Sequence, residues 1–336
     1  MAIAKLKPHA TIQDKLPAHA PVLSIVVPLY NEAVILRDFH SSLFGLLDTL
    51  GLRYELIYCN DGSSDDTAEI ALSLAETDRR VKVVSLTRNF GKEIATTAGI
   101  TVARGQAIMT LDADGQHPIE LIPEFIERWQ AGEKAIIGVR VSNQREGFVK
   151  KYGSKLFYKI LNSLTGRRLV PGVSDFRLID KSIQREFIRM TERNRITRGL
   201  IDWLGYRTSY LEFDANARMG GMKATYSVMK LFKLATDSFI SMSVRPLYLT
   251  AYFGAIVLPL SLLLGLVMVI NFLLGDPFNW HVTGGAYVMV LILFLIGVIM
   301  VSQGITGMYL SHIHTETQNR PLYVVDRSLS KGIEHE

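Results

Sequence analysis

Two acids stand one residue apart in Asp112-Ala113-Asp114, directly after the apolar run Ala107-Ile108-Met109-Thr110-Leu111. Oxygen ligands at that spacing on a strand end suit a hard divalent cation such as Mg²⁺ or Mn²⁺, and such a cation suits a diphosphate. Two earlier apolar runs also end in polar turns. Ser24-Ile25-Val26-Val27-Pro28 leads into Leu29-Tyr30-Asn31-Glu32, and Glu55-Leu56-Ile57-Tyr58-Cys59 leads into Asn60-Asp61-Gly62-Ser63-Ser64-Asp65-Asp66-Thr67. Three strand ends would then present polar groups on one rim. In open α/β sheets, ligands bind outside the carboxyl ends of the strands. Asp65 and Asp66 have a plainer use as turn and N-cap residues. Cys59 is the sole cysteine. It excludes an internal disulfide, offers no zinc or iron–sulfur ligand set, and reads as core filler in a buried strand.

The elements that must position these residues follow from the hydrophobic pattern. The first strand precedes a helix near 32–50, with Leu36, Phe39, Leu43 and Leu47 at helical spacing. A second strand over 54–59 precedes a helix near 66–76, and a third over 81–86 precedes Arg88-Asn89-Phe90-Gly91-Lys92 and a small-residue helix over 93–104. The fourth strand carries the acidic pair; Pro118 opens a helix to about 131, and a strand covers 135–139. Strands alternating with helices predict an α/β domain on a mainly parallel sheet. Residues 140–200 read as basic helices and loops, with 15 Lys and Arg against 5 Asp and Glu from Arg140 to Arg198. That excess points to anionic partners, phosphates or a lipid surface, although any single one of these cations also fits a solvated helix face. A further strand is predicted over 206–214.

Hydrophobic residues make up 48% of the chain, and the excess sits near its C-terminal end. Residues 247–274 and 286–310 contain no formal charge. Each run exceeds the roughly 20 residues that cross a bilayer core. The connector 275–285 has no Lys or Arg, whereas Lys230, Lys233 and Arg245 precede the pair and Arg320, Arg327 and Lys331 follow it. The positive-inside rule then predicts a multi-pass protein of the inner membrane, with the large domain and both termini cytosolic. Residues 1–21 lack an apolar signal segment and read as a flexible tail. Residues 22–225 read as the large cytosolic domain, 226–246 as interfacial amphipathic helix, 247–310 as two membrane helices, and 311–336 as a cytosolic tail. That tail has strand character near 320–325, which needs the main sheet or a neighbouring subunit as partner.

Taken together, Val27-Pro28-Leu29-Tyr30-Asn31-Glu32, Asn60-Asp61-Gly62-Ser63 and Leu111-Asp112-Ala113-Asp114-Gly115-Gln116 resemble glycosyltransferase family 2, the GT-A fold. Arg88-Asn89-Phe90-Gly91-Lys92, Ser174-Asp175-Phe176-Arg177-Leu178 and the C-terminal hairpin narrow the resemblance to the polyprenyl-phosphate glycosyltransferases. These include the dolichol-phosphate mannose synthases and the undecaprenyl-phosphate glucosyl and aminoarabinosyl transferases. The resemblance implies that Pro28, Tyr30, Glu32, Cys59, Asp61, Lys92, Asp112 and Ala113 line the nucleotide-sugar pocket. It implies that Asp112, Asp114 and Gln116 hold Mg²⁺ or Mn²⁺. Arg140, Lys151, Ser154, Arg177 and Arg218 become candidate contacts to an acceptor phosphate, and Asp112, Asp114, Asp175 and Arg177 the catalytic set. Asp175 reads either as an acid that orients a hydroxyl or as half of an internal ion pair with Arg177. After Arg218, the stretch Gly220–Tyr226 carries one residue more than the family pattern, which leaves Lys223 without a role.

The resemblance implies inverting transfer of a hexose, with UDP-glucose as donor and undecaprenyl phosphate as acceptor. The lipid phosphate is already ionised near neutral pH, so a strong general base is not required. A GDP-mannose-dependent polyprenyl-phosphate mannose synthase is the alternative within the class. A non-catalytic, membrane-anchored nucleotide-sugar-binding scaffold is the alternative outside it. A processive polysaccharide synthase fits less well, because Glu127-Arg128-Trp129-Gln130 does not give a Gln-x-x-Arg-Trp motif. A dinucleotide oxidoreductase lacks its Gly-x-Gly-x-x-Gly after the first strand. No nucleic-acid partner is expected. A homo-oligomer is, with a tetramer as the implied state.

Overall fold

The computed structural model describes residues 20–141, 172–193, 195–216, 284–333 and scattered positions between 256 and 274. Contacts divide the chain into two units. One contains the described residues up to 216 together with 320–333; the other contains the apolar C-terminal helix.

The first unit is built on seven strands: β1 (Leu23–Leu29), β2 (Tyr54–Asn60), β3 (Val81–Ser85), β4 (Ala107–Thr110), β5 (Ala135–Arg140), β6 (Val173–Asp180) and β7 (Thr208–Phe213). Their order in the sheet is β3-β2-β1-β4-β6-β5-β7. The first four pair in parallel, as the alternation with α1 (Ala33–Thr49), α2 (Thr67–Thr77) and α3 (Lys92–Val102) requires. β1 lies between β2 and β4, so the chain reverses its direction of travel across the sheet there. The crevice outside the carboxyl ends of β1 and β4 is the topological switch point.

β6 runs antiparallel to both β4 and β5. This corrects the reading of residues 140–200 as helices and loops alone. The segment Val173-Ser174-Asp175-Phe176-Arg177 alternates, but charges at both Asp175 and Arg177 mask the alternation. Phe176 and Arg177 are both buried, on opposite faces, because successive side chains of a strand point to opposite sides. The unit is completed by α4 (Ile122–Gln130), α5 (Lys181–Arg189) and α6 (Thr197–Trp203).

Each face of the sheet carries its own core. On one, Leu36, Phe39 and Leu43 of α1 and Phe125 and Trp129 of α4 pack with Phe176 and Phe213. On the other, Ala95 and Ala98 of α3, Ile183 and Phe187 of α5 and Ile201 of α6 pack with Val26, Ile57 and Cys59. Gly99 permits this second packing. A Cβ there would lie 2.4 Å from both Cys59 Sγ and Val26 Cγ1.

The expected strand near 320–325 does reach the main sheet, as two bridges and not as a continuous strand. Leu86 pairs with Val325 and Val83 with Lys331, both antiparallel, along the outer edge of β3. Thr87 N donates to Val324 O at 3.0 Å and Asp326 N to Ser85 O at 2.8 Å, while Ser85 N donates to Ser330 Oγ at 3.0 Å. Tyr323, Val325 and Ile333 pack against the second core.

In the second unit, α7 (Gly284–Thr317) extends seven residues past the expected end of the run at 310. Within it, residues 294–317 are long and apolar enough to cross a membrane, the one such helix among the described residues. The other apolar run and the segments 1–19, 142–171 and 217–255 lie outside the described residues or touch them only at isolated positions.

Candidate active site

Three strand ends and two helix starts converge at the switch point. From β1 come Pro28 and the exposed Tyr30; from the end of β4 comes Asp112. The antiparallel pairing of β6 sets Arg177 opposite Thr110. It thereby carries Asp175, two residues earlier, to the same rim as Asp112, two residues later. Thr110 Oγ1 donates to Asp175 O at 2.6 Å and fixes that juxtaposition.

Lys92, the first residue of α3, sits between the two acids. Its Nζ lies 2.7 Å from Asp112 Oδ1 and 2.7 Å from Asp175 Oδ2. Burial alone would lower the Lys92 pKa, but the carboxylates of Asp112 and Asp175 outweigh it and hold the ammonium above the ordinary lysine range. Burial likewise favours the protonated Asp175, yet the charges of Lys92 and Arg177 dominate, and its pKa falls to about 2. Asp175 is thus a permanent anion at neutral pH. It pairs closely with Lys92, and more loosely with Arg177 at 3.8 Å.

The start of α3 is held by Asp61. Its two carboxylate oxygens accept from Phe90 N at 2.7 Å and Gly91 N at 2.9 Å. Burial raises the Asp61 pKa, and the two N–H groups offset only part of the rise. The turn that delivers Asp61 needs Gly62, whose φ is +62° and whose Cβ would fall 2.4 Å from the backbone of Arg88. The neighbouring Asp65, not Asp66, supplies the capping. Its Oδ1 accepts from Thr67 N at 3.1 Å, and its Oδ2 from Ala33 N at 3.2 Å, so one side chain ties the starts of α1 and α2.

His117 is the residue that sequence reasoning missed. Its Nδ1 accepts from Asp112 N at 3.0 Å. The ring stacks on Phe176 with centroids 5.1 Å apart and meets the edge of Phe213 at 6.0 Å. An accepting Nδ1 requires the proton of the neutral ring to lie on Nε2. Burial is the main reason the His117 pKa lies below its ordinary value, which keeps that ring neutral. The only signal in the sequence was a histidine five residues after Asp112, in a loop whose path no periodicity fixes. Thr197, Glu93 and Thr110 were also missed; they matter through contacts between distant elements.

Other expected residues land as follows. Ala113 is buried in the first core. Cys59 is fully buried under α3, with its thiol pKa pushed up by burial, so its side chain belongs to the core and not to a nucleotide pocket. Arg177 is 1% exposed and lines the cavity beneath the rim together with Lys92, Asp112 and Asp175. Arg140 is exposed at the end of β5. Lys151, Ser154 and Arg218 lie outside the described residues.

The donor set fits a hard cation. Asp112 and Asp114 offer carboxylates and Gln116 a carboxamide on one short loop, closed by Gln116 N donating to Asp114 Oδ1 at 3.1 Å. Among the described residues there is no cluster of three His, Cys, Asp or Glu side chains that would cage a metal unaided. Mg²⁺-type ions characteristically take one or two carboxylates and complete their shell with water and substrate phosphates, so two acids suffice.

Comparison with known proteins places the chain. Residues 24–187 match Glycosyl transferase family 2. An uncharacterized glycosyltransferase of Synechocystis sp. is 38% identical, covering 90% of this chain and 94% of that protein. The SfII prophage-derived bactoprenol glucosyl transferase of Shigella flexneri is 35% identical over 91% of this chain and 98% of its own length. A prophage bactoprenol glucosyl transferase homolog of Escherichia coli (strain K12) is 34% identical, over 91% and 98%. The chain belongs to glycosyltransferase family 2 and is a glycosyltransferase. Among solved structures, a glucosyl-3-phosphoglycerate synthase from Mycobacterium tuberculosis is 18% identical with a TM-score of 0.48, covering 66% of this chain and 78% of that one. That likeness is too loose to transfer residue roles.

Proposed function

We propose that the protein transfers a hexose, with inversion, from a nucleotide sugar to a polyprenyl phosphate at the cytosolic face of a membrane. UDP-glucose is the proposed donor and undecaprenyl phosphate the proposed acceptor. The observation that carries this reading is the match, over 91% of this chain, to proteins named bactoprenol glucosyl transferase or its homolog, at 34–35% identity, together with a rim where Asp112, Asp175 and Lys92 converge.

In this reading, Pro28, Tyr30, Glu32 and Asp61 form the nucleotide side of the crevice, with Asp61 acting through the Phe90–Gly91 backbone that it holds. Asp112, Asp114 and Gln116 would bind Mg²⁺ or Mn²⁺. A divalent cation held there would supply positive charge for the departing nucleoside diphosphate. Lys92 lies beside the same position and adds a fixed positive charge in a partly closed site, where charge stabilisation and positioning do most of the work. The acceptor arrives already ionised, so the residues must neutralise and align two anions. Arg140, Lys151, Ser154 and Arg218 are the proposed contacts to the lipid phosphate. The apolar runs would form a two-helix membrane hairpin with both chain ends cytosolic, and the assembly would be a homotetramer.

The test uses membrane vesicles containing the full chain, incubated with radiolabelled UDP-glucose, GDP-mannose or UDP-N-acetylglucosamine. Label from UDP-glucose is expected in the organic extract of inside-out vesicles, and not of sealed right-side-out ones. EDTA should abolish the transfer, and so should Asp114→Ala in a protein of unchanged yield and melting temperature. Undiminished transfer by that variant would contradict the metal assignment. Label entering lipid from GDP-mannose alone would replace glucose by mannose. No transfer from any donor would leave a nucleotide-sugar-binding scaffold.

A further inference from the structure

Arg177 and Thr197 line one cavity, and each carries a buried polar atom with no hydrogen-bond partner among the described residues: Arg177 Nη1 and Thr197 Oγ1. Buried polar groups are almost always satisfied in native proteins, and an unsatisfied donor carries the full cost of its lost hydration. Two such atoms in one cavity therefore point to a ligand that completes them.

Both side chains are held in place. Arg177 is 1% exposed, stands on β6, and spends Nη2 on Ser174 O at 3.0 Å. Thr197 is 4% exposed, and its backbone N donates to Glu93 Oε2 at 2.8 Å, one residue along α3 from Lys92. Pro28, Lys92, Asp112 and Asp175 also line the cavity, so it opens onto the rim described above. Its interior has room for about one water molecule.

The chemistry of the walls selects the ligand. Arg177 can only donate, Asp175 as an anion can only accept, and Thr197 can do either. A metal ion seated between Arg177 and Thr197 is repelled by the guanidinium. A phosphate is too large for the space and would bring its charge against Asp112 and Asp175. A hydroxyl group is small, accepts from the guanidinium, and donates to a carboxylate or to the threonine oxygen. We propose that Arg177 and Thr197 form a subsite for one hydroxyl of the transferred sugar, with Asp175 at its mouth, and that a single water fills it when no sugar is present. The inference rests on the donor reading above and deepens it. Thr197 becomes a residue that selects the sugar, distinct from the groups that hold the nucleotide.

The experiment is calorimetric titration of the full-length protein in detergent with Mn²⁺, using UDP-glucose and, separately, UDP. Thr197→Val keeps the shape of the side chain and removes its hydroxyl. It is expected to weaken UDP-glucose binding about five- to tenfold, the worth of one neutral hydrogen bond, and to leave UDP binding unchanged. Thr197→Ser should restore UDP-glucose affinity. The unchanged UDP affinity reports an intact fold. If Thr197→Val binds both ligands as the wild type does, or loses both equally, the subsite is overturned while the donor reading stands. A wild-type protein that binds neither ligand overturns the donor reading, and the subsite with it.

Discussion

Lys92 keeps two carboxylates at one rim that would otherwise repel each other, and His117 keeps one of them aimed. The neutral ring gives Asp112 N a fixed acceptor, and the stack on Phe176 and the edge of Phe213 leave the ring one orientation. His117→Leu removes the acceptor and strands the N–H, at a cost of about 1–3 kcal/mol. The expected result is a fall of at least tenfold in kcat and a raised Mn²⁺ requirement, with the acceptor KM little changed. His117→Asn, whose side-chain oxygen can reach the same N–H, should recover most of the rate. A purely structural histidine would show equal losses in both variants and no change in metal dependence. The acidic pair of Asp112 and Asp114 is legible in the sequence because it is local, at the end of one apolar run. The partnership of Lys92 with Asp175 is not. Those residues are far apart in the chain, and only strand pairing brings them together.

Among the elements, the four parallel strands and their helices were legible, since each carries an apolar run of the right period between turn residues. β6 was not. Its buried Arg177 and rim-facing Asp175 break the apolar alternation, so two charges hide a strand that the pairing with β4 and β5 makes plain. The contact of α3 with β1 and β2 was equally hidden, because a glycine in a helix reads as a weak helix former until its neighbours are known. Gly99→Ala raises helix propensity and would stabilise an isolated helix. In this fold the added methyl meets Cys59 Sγ and Val26 Cγ1 at 2.4 Å. We expect a net destabilisation of about 1–3 kcal/mol, the usual range for overpacking, read as a lower melting temperature of the catalytic unit. A variant as stable as the wild type would show that α3 can lift off the sheet without penalty.

At the scale of the molecule, the catalytic unit is made from segments on both sides of the apolar helix in sequence. Residues 324–331 close the outer edge of β3, and Tyr323, Val325 and Ile333 extend its second core. An uncovered strand edge is a template for pairing with other chains. Truncation after residue 320 is therefore expected to lower the melting temperature by several degrees and to produce concentration-dependent aggregates in detergent, seen by size-exclusion chromatography. A truncated protein that stays monodisperse and equally stable would show the tail to be dispensable. The sequence suggested that this tail needed a strand partner, but not that the partner was β3, since the polar turn at 326–330 breaks any continuous strand pattern.

That return of the tail has a consequence for biosynthesis. A ribosome releases all seven strands long before it makes the residues that seal β3, and the apolar helix is made in between. The catalytic unit thus finishes folding only after residues 324–331 have been made. A chain stopped before residue 324 would carry an almost complete sheet with the β3 edge unsealed, however intact its rim.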